Sequence, residues 1–268
     1  MSRIIVVTSG KGGVGKTTCT ANLGMALAQL GRQVAVVDAD FGLRNLDLLL
    51  GLENRVVYTA MEVLAGQCRL EQALVKDKRQ SRLVLLPAAQ NRTKEAVNSD
   101  QMKQLVNALA QKYDYVLVDS PAGIEMGFKN AIAAAKEALI VTTPEISAVR
   151  DADRVVGLLE AQNIKRIHLI VNRIRPAMVQ VNDMMSVEDV QEILAIPLIG
   201  VIPDDERDIV STNRGEPLVL AENPSLAGVA FDNIARRLEG QKVDFLDLNA
   251  PPDNFLTRIR KLLSTRII

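Results

Sequence analysis

The stretch Val6-Val7-Thr8-Ser9-Gly10-Lys11-Gly12-Gly13-Val14-Gly15-Lys16-Thr17-Thr18 decides the fold. An apolar run ends at Thr8, a glycine-rich turn follows, and a helix-forming segment opens at Lys16. Gly10, four residues, then Gly15-Lys16-Thr17 satisfy the phosphate-loop pattern, with a strand before and a helix after as the motif requires. The glycines let backbone N–H groups close around phosphate oxygens, the helix N-terminus adds partial positive charge, and Lys16 supplies a cation for the β and γ phosphates. Thr17 is the expected Mg²⁺ ligand, and Gly12, Gly13, Val14 and Thr18 complete the nucleotide-binding run. Core packing alone gives no reason for four glycines and two lysines between a buried strand and a helix.

Outward from this loop, short Val- and Ile-rich runs alternate with amphipathic stretches, as strands buried on both faces of a parallel sheet do. Strands are expected over 3–8, 33–38, 83–86, 115–119, 139–142, 167–172 and 198–202. Helices are expected over 16–30, 101–111, 148–161, 187–194 and 226–239. This alternation predicts an α/β fold, a doubly wound and mostly parallel sheet flanked by helices, with ligands at the carboxyl ends of the strands. Residues 1–240 form the expected phosphate-loop domain, 241–254 with Pro251-Pro252 a linker, and 255–268 an amphipathic helix.

The 268 residues are 48% apolar and 24% charged, which suits a globular chain and excludes a disordered one. With Lys plus Arg at 32 and Asp plus Glu at 32, net charge gives no sign of a nucleic-acid coat. Cys19 and Cys68 make neither a disulfide framework nor a metal set, so a reducing compartment is expected. The four apolar residues after Arg3 are too few for a signal peptide, and no run is long enough to span a membrane. His168, mid-strand, is expected to be structural, and Met178, Met184 and Met185 to be helix packing.

Carboxylates end two apolar strands, as Val37-Asp38-Ala39-Asp40 and Val118-Asp119-Ser120-Pro121. Asp119, at a strand tip beside the loop, fits a carboxylate that holds the water shell of Mg²⁺.

Lys11 adds a second lysine at the start of the loop. The run Lys11-Gly12-Gly13, two residues, Gly15-Lys16-Thr17 resembles the deviant Walker ATPases, in which the early lysine reaches the nucleotide of a partner subunit. That resemblance implies ATP and Mg²⁺ as cofactors, a trans-acting Lys11, an Asp40 that orients or deprotonates the attacking water, and an Asp38 that supports the metal site. A cation supplied in trans would make hydrolysis conditional on dimerisation. Asp40-Phe41-Gly42-Leu43-Arg44-Asn45-Leu46-Asp47, Asp119 through Glu125, and Ser147 through Asp153 are similar to the MinD family of division-site selection ATPases. The family resemblance implies an adenine contact for Asn172, a dimer face near Asp151, an ATP-dependent homodimer, a MinC-like division inhibitor, a MinE-like activator and an anionic membrane surface as partners. It also implies a cytoplasmic protein, peripheral on the inner face of the cell membrane in its ATP state, with no specific nucleic acid.

Other functions share the loop. An iron–sulfur carrier needs closely spaced cysteines, and a tyrosine autokinase a tyrosine-rich tail, whereas Tyr58, Tyr113 and Tyr115 are internal. The serious alternative is a ParA-like DNA-partitioning ATPase, which has no need of an amphipathic end. In 255–268, Phe255, Leu256, Ile259, Leu262, Leu263 and Ile267 share one face of a helical wheel, while Arg258, Arg260 and Lys261 lie around the rest. This segment holds four basic residues and no acidic one, so the remainder of the chain carries 28 basic against 32 acidic residues, a formal −4. One such helix would attach weakly and reversibly to anionic lipid, and a dimer carrying two would attach far more strongly.

Overall fold

The Val- and Ile-rich runs become strands buried on both faces, in a computed structural model that describes residues 2–90 and 97–248. In chain order the strands are β1 (Arg3–Thr8), β2 (Val34–Asp38), β3 (Val75–Lys76), β4 (Leu83–Leu86), β5 (Tyr115–Asp119), β6 (Glu137–Thr142), β7 (Arg166–Ile174) and β8 (Leu198–Pro203). The helices are α1 (Lys16–Gln29), α2 (Leu46–Leu49), α3 (Ala60–Leu64), α4 (Leu70–Ala73), α5 (Ser99–Ala110) and α6 (Met126–Ile132), then α7 (Ile146–Ala161), α8 (Pro176–Gln180), α9 (Val187–Leu194), α10 (Arg207–Arg214) and α11 (Leu226–Leu238).

The sheet order is β3-β4-β2-β5-β1-β6-β7-β8, parallel throughout except for the two-residue antiparallel edge β3. From β1 the chain winds out to β2 and β4, returns through β5 beside β1, and continues on the other side through β6. The order therefore reverses at β1, and the crevice beyond its carboxyl end is where such sheets bind ligands.

Alternation along each strand splits the core into two layers. Ile4, Val6, Val116 and Val118 face α5, α6, α7 and α9, while Ile5, Val7, Val36 and Leu117 face α1 and α11. α1 is buried almost all round because α2 and α11 pack over it, so its sequence carries little amphipathic signal.

Boundaries differ from expectation where charge or capping chemistry intrudes. β6 starts at Glu137, two residues early, because a buried carboxylate paired with Arg3 opens the strand. α5 starts at Ser99, where Asn98 and Gln101 form a capping box. Met184 and Met185 correct the helix-packing expectation: they sit in the bend between α8 and α9, where Met184 Sδ accepts the Arg175 N–H, and only Met178 is helical. Arg237 holds the first part of the expected linker against α11, donating to the carbonyls of Val243 and Asp244 and stacking on Phe245. The rest of that linker and the expected helix 255–268 lie outside the described residues.

Candidate nucleotide site

The loop after β1 is shaped by a close backbone approach at Gly10 and by left-handed turns at Gly13 and Gly15. A Cβ on Gly10 would lie 2.2 Å from the Asp151 carbonyl oxygen, so the loop begins pressed against the backbone of α7. Gly15 caps α1 in the left-handed region, φ 97°, and a Cβ there would lie 2.3 Å from Asn172 Nδ2. Val14 is buried with the α1-side core and pegs the middle of the loop, while Gly12 and Gly13 stay exposed. Ser9 Oγ donates to the Lys11 carbonyl at 2.7 Å.

Lys16, on the first turn of α1, is 7% exposed, and its charge acts on Asp119 at the end of β5. Asp119 also accepts hydrogen bonds from Thr17 and, at 3.1 Å, from Thr20. Burial nevertheless raises its carboxyl to about 6. Asp38 is its register partner across β2 and β5. Both Asp38 oxygens are engaged by backbone, Oδ1 with the Asp40 N–H at 2.9 Å and Oδ2 with the Leu46 N–H at 3.2 Å. Burial first, then the neighbouring Asp119 charge, push Asp38 up to about 8. Asp38 thus braces the turn that carries Asp40, and Asp40 sits half-buried at the mouth of the loop.

Among the described residues, burial and their mutual proximity leave the Asp38 and Asp119 carboxyls raised, with Lys16 offsetting part of the Asp119 charge. The donors nearest the loop, the Thr17 hydroxyl and the Asp119 carboxylate, are hard oxygens of the type Mg²⁺ takes alongside substrate phosphates. The residues present therefore fit a Mg²⁺-bound polyphosphate.

Lys11 is held by its own chain, Nζ donating to Glu145 Oε2 at 3.1 Å and to Ser147 Oγ at 3.0 Å at the start of α7. Asn172 is 6% exposed and donates through Nδ2 to the Val14 carbonyl at 2.8 Å. With Thr18, Pro203, Asp204 and Asp205 it lines a small cleft beside the loop. Sequence reasoning missed Arg173, which donates to the Gly13 carbonyl at 3.0 Å, and Glu145, the holder of Lys11. The structure gathers Lys16, Thr17, Asp38, Asp40 and Asp119 at one strand-end crevice, with Lys11 and Asn172 on its two flanks. The expected membrane residues of 255–268 lie outside the described residues.

A loop rich in backbone N–H groups, opening a helix with a buried lysine beside carboxylates, makes this fold a P-loop NTPase. A family model described as "ParA: NUBPL iron-transfer P-loop NTPase" matches residues 1–239. A putative septum site-determining protein MinD of Guillardia theta is 70% identical over 261 residues, covering 97% of each chain. The solved MinC:MinD cell division protein complex of Aquifex aeolicus superposes with a TM-score of 0.85 at 50% identity, over 91% of this chain and 98% of that one. MinD of Pyrococcus horikoshii, solved with Mg-ADP, gives a TM-score of 0.81 at 34% identity, over 89% of this chain and 96% of that one. The chain belongs to the MinD family of septum site-determining proteins. As for the iron transfer in the family model's description, Cys19 and Cys68 are both free and pack on opposite faces of the sheet.

Proposed function

We propose that the protein is a Mg²⁺-dependent ATPase that works as a dimerising switch in division-site placement. The observation that carries this reading is the meeting of Lys16, Thr17 and Asp119 beneath the loop, beside a second strand end bearing Asp38 and Asp40. Thr17 and Asp119 would hold Mg²⁺, with Asp38 behind them, and the bound ion would neutralise phosphate charge. Backbone N–H groups of 10–17 orient the phosphates, Lys16 offsets charge on the β and γ groups, and Asp40 orients or deprotonates the attacking water. Asn172 and its cleft would receive the adenine. The solved Pyrococcus relative with Mg-ADP supports the cofactor assignment.

Lys11 gives the switch its condition. Its cis partners Glu145 and Ser147 are exposed, and such a surface pair contributes at most about 1 kcal/mol, so release toward a partner's phosphates costs little. Leu43, Ile124, Met126 and Ile146 are exposed around the same crevice and offer apolar surface for a second copy. ATP would bring two copies face to face, hydrolysis would part them, and basal turnover would be slow until a MinE-like activator acts. The Aquifex complex supports a MinC-like inhibitor as partner. Membrane residence would follow from pairing two 255–268 segments in the ATP dimer, which raises avidity by about 10² to 10⁴.

The test is gel filtration of Asp40→Ala with ATP, which should accumulate a dimer, while Lys11→Ala should lose both dimer and turnover. A monomeric Asp40→Ala in ATP would sink the dimer. In co-sedimentation with anionic vesicles, full-length protein should pellet with ATP far more than with ADP. A chain cut after Asp253 should bind ATP and stay in the supernatant. Equal pelleting in both nucleotides would overturn the gating.

A further inference from the structure

Two adjacent residues at the end of β7 hold two adjacent carbonyls of the phosphate loop. Asn172 Nδ2 donates to the Val14 oxygen at 2.8 Å, and the Arg173 guanidinium donates to the Gly13 oxygen at 3.0 Å. In a trans peptide the carbonyl and the following N–H point in opposite directions. Drawing the Gly13 and Val14 oxygens toward β7 therefore turns the N–H groups of Val14 and Gly15 away from it.

The backbone at Arg173 is itself unusual. Its φ is +58°, in the left-handed region that a side chain other than glycine, asparagine or aspartate rarely enters, and the β7–β8 register shifts between Val171 and Ile174. This local strain and bulge leave a long cation beside the loop. Beyond it, Asp208 of α10 has one buried carboxylate oxygen without a hydrogen bond, close enough for the Arg173 charge to act on it.

We infer that Arg173 is a positioning residue: with Asn172 it clamps the loop from outside so that successive N–H groups are aimed inward at an anion before any nucleotide arrives. The inference deepens the nucleotide-binding reading and rests on it for the anion's identity. The geometry of the loop alone supplies the clamp. Pre-aimed donors spare a ligand the cost of ordering them, so the clamp acts on affinity more than on turnover.

The experiment compares Arg173→Lys, Arg173→Ala and Arg173→Gly in the full chain by amide hydrogen exchange of the nucleotide-free loop, 9–16, and by calorimetry with ADP and Mg²⁺. Glycine relieves the left-handed backbone without restoring the clamp, so it separates the two roles. The clamp predicts faster loop exchange and roughly tenfold weaker ADP binding for both Ala and Gly, the size expected for losing one charge-assisted hydrogen bond. Lys, which still offers a donor, should recover most of both, and kcat should change less than KM in every variant. An Arg173→Gly protein equal to wild type in exchange and affinity would overturn the clamp. If the loop loosens in Ala and Gly while wild type binds no ADP, the clamp stands and the nucleotide reading falls.

Discussion

The two ends of the sheet treat their carboxylates in opposite ways, and those at the carboxyl ends lie deeper. At the amino ends of the strands, burial alone would raise Glu137, but its hydrogen bond with Arg3 and the Arg3 and Arg166 charges hold it below the usual glutamate range. Arg3 also donates to the Tyr115 hydroxyl at 3.1 Å and to the Leu238 carbonyl, and Arg32 pairs with Glu239, which is likewise held low. At the carboxyl ends, burial wins: Asp38 rises to about 8 and Asp119 to about 6. The amino-end carboxylates have several arginines around them, while at the carboxyl end Lys16 acts on Asp119 and Asp38 is held by backbone N–H groups. One end is electrically complete and ties α11 to the sheet. The other is left short of cations, as a site is when its counter-charge comes with a ligand.

The largest effect should come from removing the cation at the incomplete end. Lys16→Ala should weaken ATP binding by about 100-fold or more, since it strips a buried charge from the anion site. Its folding stability should change far less, because Asp119 can answer by taking a proton. Tight ATP binding by this variant in calorimetry would take Lys16 out of its role.

At the complete end the consequence is reversed, with stability lost and the site spared. Arg3→Ala leaves Glu137, 5% exposed, without its main partner and should cost about 2–3 kcal/mol in urea unfolding. ADP affinity measured where the variant is still folded should stay near wild type. A large affinity loss there would mean the two ends are coupled.

Stability against pH separates the ends by sign. Asp38 and Asp119 have folded pKa values raised above the usual 3.8, so between about pH 4 and 8 the folded form binds more protons than the unfolded one, and stability falls as pH rises. Glu137 and Glu239 are lowered, so their contribution is present above about pH 4.5 and lost as pH falls through their folded values. Nucleotide-free protein should therefore melt at a higher temperature near about pH 5 than near about pH 8. With ADP and Mg²⁺ a cation bound there would keep the carboxylates ionised, and the slope should flatten or reverse. A flat profile without nucleotide would remove the charge deficit from the site.

Much of this architecture is legible in the order of the amino acids. The buried parallel strands announce themselves because Val and Ile runs have few other uses, and the loop announces itself because Gly10 presses on the Asp151 backbone and Gly15 takes a left-handed φ. β3 is invisible at that level, since two residues, Val75 and Lys76, carry no period. Glu137 hides the start of β6 because its partner, Arg3, is 134 positions away. Arg173 escapes notice for a different reason: a left-handed arginine at a bulge leaves no compositional trace, and an Asn-Arg pair at a strand end looks like a turn. The carboxylates are evident at their strand ends, but only the fold gives Asp38 its bracing bonds to Asp40 and Leu46.

The smallest predicted effect lies on the border of the incomplete end, at the contact between Lys11 and Glu145. Their side chains are 41% and 58% exposed, so water and salt screen the pair and its formation orders two long side chains for little return. Glu145→Gln keeps the size of the side chain and removes its charge, and should change unfolding stability by less than about 0.5 kcal/mol. What it changes is where Lys11 spends its time. With the cis acceptor neutral, Lys11 is freer to face a second copy, and in the proposed switch less ATP should be needed to reach half-maximal dimer in an Asp40→Ala background, where slowed hydrolysis would not drain the complex. Raising salt should narrow the difference between the two proteins, because it weakens the cis pair that only one of them has. If Glu145→Gln instead needs more ATP to dimerise, Glu145 contributes to the face between subunits, and the contact seen within one chain is the resting half of an exchange between two.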